Sequence, residues 1–99
     1  MQVFKFGGAS VRNAESIKNV ASIIAHYKKD QLLVVVSAIG KTTDKLEKLT
    51  KEYFQGSPRS FDLLDEVKKD HQIILNELFT DSSHPIYDDI ANSFVEIEW

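Results

Sequence analysis

Lys5 stands in a β-rich opening, Val3-Phe4-Lys5-Phe6, that runs straight into Gly7-Gly8-Ala9-Ser10. A strand that delivers an ammonium group and then two glycines has the parts needed to hold a polyphosphate. Glycine lacks Cβ, so its backbone can approach a ligand closely and take up positive φ. Successive N–H groups can then converge on anionic oxygens as a nest. The segment from Asn13 onward reads as a helix, whose N-terminus adds unsatisfied donors and partial positive charge nearby. Lys5 supplies a full charge able to follow a migrating phosphoryl group. The same residues also fit a plain strand-to-helix turn with an exposed lysine, because loose glycine motifs are common.

Other residues with chemical potential read differently. Gly40-Lys41-Thr42 follows a β-branched strand, as the tail of a P-loop does. In G-x-x-x-x-G-K-[ST], however, the first glycine would fall at Val35, inside that strand. Ala38-Ile39 is also too short a loop to wrap a β-phosphate, so a P-loop NTPase is kept only as a minor alternative. His71 lies on an apolar stripe and reads as a packing histidine, while His26 and His84 fall on a helix surface and a turn. Asp88 and Asp89, just after Pro85, read as first-turn acids favoured by the helix dipole rather than as metal ligands. Asp65, Glu66, Lys68, Lys69 and Asp70 read as a solvated face, and Tyr53, Phe54, Phe79 and Phe94 as core.

The elements that must position these residues follow from periodicity. Gln2–Phe6 alternates as a strand, with Val3 and Lys5 on one face and Phe4 and Phe6 on the other. Asn13 is an N-cap candidate for a helix to about Lys29, with Ile17, Val20, Ala21 and Ile24 at helical spacing. Gln31–Ser37 holds an unbroken run, Leu32 to Val36, of the kind buried on both faces of a parallel sheet. These make a βαβ unit, which crosses over right-handed. Thr42 or Thr43 is expected to cap a second helix to about Gln55, with Leu46, Leu49 and Tyr53 inward and Asp44–Lys48 and Glu47–Lys51 as pairs. Gly56-Ser57-Pro58 ends it. Ser60 precedes a third helix, expected to run to about Phe79 on the stripe Leu64, Val67, His71, Ile74, Leu75 and Leu78. Pro85 suits the first position of a last helix marked by Ile86, Ile90, Phe94 and Ile97.

Composition bounds the class. At 99 residues, 42% of them apolar and 27% charged, the chain is at most one soluble domain, burying roughly 60–65% of its unfolded surface. A net charge of −3 implies no basic face for nucleic acid. No apolar run approaches the ~20 residues of a membrane span, and Lys5 with two glycines interrupts any signal-peptide core. There are no cysteines, so no disulfides, thiolate ligands or thiol nucleophile. The expectation is a cytoplasmic protein. Two strands make a poor sheet with open edges, and Phe94 to Trp99 stops amid apolar residues. We therefore expect a natural start and a lost C-terminal part.

Lys5-Phe6-Gly7-Gly8-Ala9-Ser10-Val11, followed by Val34 to Ser37 and Ala38-Ile39-Gly40-Lys41-Thr42-Thr43-Asp44-Lys45-Leu46, resembles the N-terminal portion of an aspartate kinase, of the amino-acid-kinase superfamily. The family pattern usually has Thr where Ala9 stands, Gly where Lys41 stands and an aliphatic residue where Thr42 stands. Two blocks in order, each at a strand end, are far more specific than either alone. The implied fold is α/β: an N-terminal βαβ plus three helices of a parallel-sheet sandwich whose sheet is incomplete, with residues 1–99 the N-terminal part of a catalytic domain.

The resemblance implies transfer of the γ-phosphoryl group of MgATP to the β-carboxylate of L-aspartate, the first step toward lysine, threonine and methionine. Lys5 matches the catalytic lysine that contacts the transferred group. Gly7 and Gly8, with Ser10 beside them, match the loop that holds ATP phosphates. Ser37 matches a serine near phosphates and acceptor, and Thr43 one that contacts aspartate. Ala9 removes a hydroxyl, and Lys41 adds a cation expected to be solvated. The family's amino-acid-binding acid and arginine, its catalytic aspartate and its adenine pocket would lie beyond Trp99. The chain alone is therefore expected to be inactive, the full enzyme to need ATP and Mg2+, and the parent to be a homo-oligomer. An alternative is a non-catalytic helical module that dimerises through its open faces.

Overall fold

The backbone ladder of the computed structural model, which describes residues 1–29 and 31–99, joins two parallel strands, β1 (Gln2–Phe6) and β2 (Leu32–Val36). They pair in register from Gln2 opposite Leu32 to Phe6 opposite Val36. The ladder continues one residue beyond β2 at each end: the Gln2 N–H donates to the Gln31 carbonyl and the Ser37 N–H to the Phe6 carbonyl, each at 2.9 Å. The crossover holds a short 3-10 turn, Gly8–Val11, and helix α1 (Ala14–His26). Asn13 caps α1 as expected, its Oδ1 accepting from the Ser16 N–H at 2.8 Å. The helix stops three residues short of Lys29. Tyr27 leaves it with φ −106° and ψ 11°, and its ring packs edge-on against Phe4 at 5.1 Å.

Helix α1 lies on one face of the sheet. Phe6, Val11 and Val20 are buried there, with Phe4, Ile17, Ile24 and Val34 packed around them. The opposite face, which alternation assigns to Val3, Lys5, Leu33 and Val35, is open, with Val3 59%, Leu33 50% and Val35 46% exposed. This corrects the expectation that β2 is buried on both faces. The remaining helices pack on one another and on α1 rather than on that face.

Helices α2 (Thr42–Phe54) and α3 (Arg59–Leu78) form a hairpin, followed by α4 (Ile86–Glu98). The hairpin turn is a Schellman closure: Gly56 takes φ +72°, Ser57 N–H donates to the Glu52 carbonyl at 2.9 Å and Gly56 N–H to that of Tyr53 at 3.0 Å. On α3, Leu64, Val67, Ile74 and Leu75 are buried and His71 and Leu78 half-buried, as the spacing predicts.

Several expectations need correction. Neither threonine caps α2; Lys41 precedes it, and Thr42 turns its hydroxyl back onto the Ile39 carbonyl at 2.6 Å. Tyr53 and Phe54 are 69% and 83% exposed rather than core. The α2–α3 seam opens there into a groove of about 380 Å3 that Tyr53 lines with Leu49, Phe61 and Trp99. Glu47 pairs with Lys51 at 3.7 Å, but Asp44 stands 4.0 Å from Lys41 rather than pairing with Lys48. Pro85 sits one residue before α4, with Asp88 and Asp89 in the first turn. The Tyr87 hydroxyl donates to the Phe79 carbonyl at 2.6 Å, tying the start of α4 to the end of α3. No helix of the described residues is long and apolar enough to cross a membrane.

Candidate phosphate-binding site

The two strand ends meet through backbone. Ser37 is held beside β1 by its N–H bond to Phe6. Just beyond, the Gly7–Ser10 and Ser37–Gly40 segments touch. A Cβ built on Gly8 would lie 3.1 Å from the Gly40 carbonyl oxygen and 3.7 Å from that of Ala38. A side chain on Gly8 would therefore require the Gly40 loop to give by a few tenths of an ångström. The sequence places both segments at the carboxyl ends of parallel strands, where ligands of open α/β sheets bind.

The glycine chemistry differs in detail from the sequence expectation. Among the described residues positive φ falls at Gly40 (+51°) and Gly56 (+72°), not at Gly7 or Gly8. Gly7 is extended, with φ −78° and ψ 179°. No nest of alternating hand therefore forms at the first glycine pair. Instead Gly8 and Ala9 lead into a 3-10 turn whose first bond runs from the Ser10 N–H to the Gly7 carbonyl at 3.0 Å. Their own amides come before that bond. Gly7 is exposed, and a Cβ there would meet nothing within 4 Å, so the space over its backbone is open.

Lys5 is exposed one residue from the end of β1, paired in register with Val35. Alternation puts it on the open face, the same side as Gly7. Among the described residues no carboxylate lies within 4.0 Å of its amine. Ser37 and Thr43 are exposed as well, Thr43 in the first turn of α2. Ser10 stands apart: it lines a cleft of about 460 Å3 with Ala9, Arg12, Asn13 and Ser16, which Lys5, Ser37 and Thr43 do not line. The described residues hold no group of three His, Asp or Glu side chains able to bind a metal ion.

The P-loop alternative loses its hydroxyl. A P-loop threonine presents Oγ1 to the metal, whereas Thr42 is 7% exposed and spends its hydroxyl on Ile39. Lys41 is solvated, its side chain 84% exposed. His71 is a packing residue, as expected: Nδ1 lies 2.8 Å from the Val67 carbonyl and the ring meets Phe94 edge-on at 5.4 Å.

Sequence reasoning missed two links between helices. Lys68 pairs with Glu98, joining α3 to the end of α4. Lys45 Nζ lies 2.5 Å from Asp70 Oδ2, joining the first turn of α2 to α3. The Asp70 hydrogen bond holds the Lys45 amine above its ordinary value against a desolvation cost, with the charges of Asp70 and Glu66 adding to the rise. Lys45 and Asp70 line a cleft of about 400 Å3 with Arg12, Gly40, Lys41 and Glu77. Helical spacing held the signal: Asp70 falls three residues after Val67 and four before Ile74, at the border of the buried stripe.

Comparison with known proteins agrees with this arrangement. The model of the amino acid kinase family matches residues 1–88. Over 65 residues the chain is 48% identical to the aspartokinase of Bacillus sp. (strain MGA3) and 49% to that of Thermus thermophilus, covering 63% of this chain and 16% of each relative. Over 96 residues it is 32% identical to the bifunctional aspartokinase/homoserine dehydrogenase 2, chloroplastic, of Arabidopsis thaliana, covering 91% of this chain and 10% of that protein. The chain thus spans between 10% and 16% of the length of these relatives. With two parallel strands whose glycine-bearing ends touch, and a match over most of its length, the chain belongs to the amino acid kinase family and is similar within it to the aspartokinases.

Proposed function

We propose that this chain carries the phosphate-cradling edge of an aspartate kinase. The observation that carries the proposal is the backbone contact between Gly8 and the Ala38–Gly40 loop at the carboxyl ends of the parallel strands. The names of the relatives support the same reaction. A β-carboxylate oxygen of L-aspartate attacks the γ-phosphorus of ATP. The bond from that phosphorus to the β,γ-bridging oxygen breaks, and ADP departs with the electron pair. The carboxylate is already ionised at neutral pH, so no base is required, and positioning and charge neutralisation dominate.

In this proposal the Lys5 ammonium neutralises charge on the transferred group. The Gly7 and Gly8 backbone lies against the phosphates, with Ser37 donating its hydroxyl and Thr43 meeting the acceptor, while Ser10, which faces a separate cleft, is left out of the phosphate contacts. Magnesium would arrive with the nucleotide, held by phosphates and by residues outside this chain. A cytoplasmic location belongs to the same proposal. The 99 residues alone are expected to show no turnover. The test is aspartate-dependent ADP release by the full-length protein carrying this chain. ADP release that ignores aspartate would contradict the proposal.

Self-association is a second proposal, favoured by a specific observation. Val3, Leu33 and Val35 form an open apolar sheet face, of the kind that drives pairing between copies. Size-exclusion chromatography with light scattering should show the isolated chain above monomer mass; a clean monomer at high concentration would reject it.

A further inference from the structure

Thr43 and the Ser37–Lys41 loop are exposed or half-buried for most of their length, so their placement depends on what anchors them. On the β1 side the anchors are the Ser37 bond to Phe6 and the Gly8–Gly40 contact. On the α2 side, Thr42 returns both its N–H and its hydroxyl to Ile39, at 3.0 and 2.6 Å. The Lys45 N–H donates to the Lys41 carbonyl at 3.1 Å. The bonds on the α2 side are all local. Among the described residues, the ion pair that ties this first turn to α3 is Lys45–Asp70, at 2.5 Å.

The pair is built for geometry more than for stability. Its side chains are 27% and 41% exposed, and ion pairs so placed add little to the folding free energy. Asp70, however, rises from a stretch of α3 fixed by Val67 and Ile74, which are 1% and 7% exposed. A carboxylate on so rigid a base holds its partner in one place.

We infer that Asp70 is a positioning residue for the acceptor side of the site: through Lys45 it fixes the first turn of α2 and, with it, Thr43. This rests on the aspartate kinase proposal above. Lys5, Gly7 and Gly8 are positioned by β1 and its turn, and Ser37 by its bond to Phe6, so losing the pair leaves the nucleotide side in place.

The experiment measures both substrates' KM values and the melting temperature for the full-length protein, for Asp70→Asn, and for the charge swap Lys45→Asp/Asp70→Lys. Misplacing a positioning element without unfolding it is expected to raise the aspartate KM of Asp70→Asn about tenfold. The ATP KM should stay within about twofold, the melting temperature should hardly move, and the swap should recover most of the loss. An unmoved aspartate KM overturns the inference, as does a parallel rise in both KM values with a falling melting temperature, or a swap that rescues nothing. If the unsubstituted protein shows no aspartate-dependent turnover, the kinase proposal itself fails and takes this inference with it. Turnover with an unmoved aspartate KM overturns this inference alone.

Discussion

Gly8 and Gly40 meet backbone to backbone, so close that a Cβ on Gly8 would lie 3.1 Å from the Gly40 carbonyl oxygen. Gly7, one residue earlier, has open space where its Cβ would be. Adjacent glycines therefore stand in different surroundings: one lies where two loops touch, and the other leaves its backbone uncovered.

Gly8→Ala must push the Gly40 loop by a few tenths of an ångström. Active-site groups shifted on that scale lose rate, so a fall in kcat of about tenfold is expected. Gly7→Ala meets no protein atom and has an ordinary φ, so it should melt as the unsubstituted protein does while raising the KM for ATP. Steady-state kinetics paired with thermal melts separate the two effects. Equal losses of stability in both variants would show that the glycines have a single structural role.

Gly56 supplies the left-handed residue of the α2–α3 turn at φ +72°, far from the strand ends. An L side chain there costs about 1–2 kcal/mol. For a domain of this size each kcal/mol moves the melting temperature by roughly 4–8 °C. Gly56→Ala should therefore melt several degrees lower in the isolated chain, with both KM values unchanged in the full-length protein. A shift in either KM would mean that this turn communicates with the site.

The Lys45–Asp70 pair carries a pH signature of known sign. The Lys45 amine is held above its ordinary value of 10.5 by the Asp70 hydrogen bond. A group whose folded value is raised stabilises the protein fully below its unfolded value and loses that contribution as pH rises through the folded one. The stability difference between the unsubstituted chain and Asp70→Asn should therefore be constant through neutral pH and shrink above about 10.5. Because both side chains are partly exposed, its size is expected below about 1 kcal/mol. Urea melts from pH 7 to the alkaline limit of folding would check it; a difference that grows with pH would reverse the assignment.

Legibility in the sequence followed locality. Strand β1, the Asn13 cap, the Gly56 turn and the α3 stripe each depend on residues within a few positions of one another, and each stands where periodicity and capping chemistry place it. Two parallel strand ends carrying the glycines were legible too, because a βαβ crossover fixes their relation. The exposure of Leu33 and Val35 was not, since a run of apolar residues records only that a strand suits burial, not what covers it. Tyr53 sits at correct helical spacing yet lines an open groove, for the same reason. The positive φ of Gly40 instead of Gly7 or Gly8 arises where the β2 loop turns into α2, with Gly40 packed against the Arg12 backbone. That is a tertiary contact with no local trace. Lys45 and Asp70 are 25 residues apart, and each alone reads as a solvated charge.

Lys5, one residue from the end of β1, is proposed to neutralise the transferred phosphoryl group. The most direct measurement is single-turnover kinetics of the full-length protein with MgATP and L-aspartate, the acyl phosphate trapped as its hydroxamate, comparing Lys5→Ala with Lys41→Ala. A loss of about 10²–10³ in the chemical step is expected for Lys5→Ala, with a near-normal rate for Lys41→Ala. A Lys5→Ala protein as fast as the unsubstituted one, or activity lost at Lys41 and kept at Lys5, would contradict it.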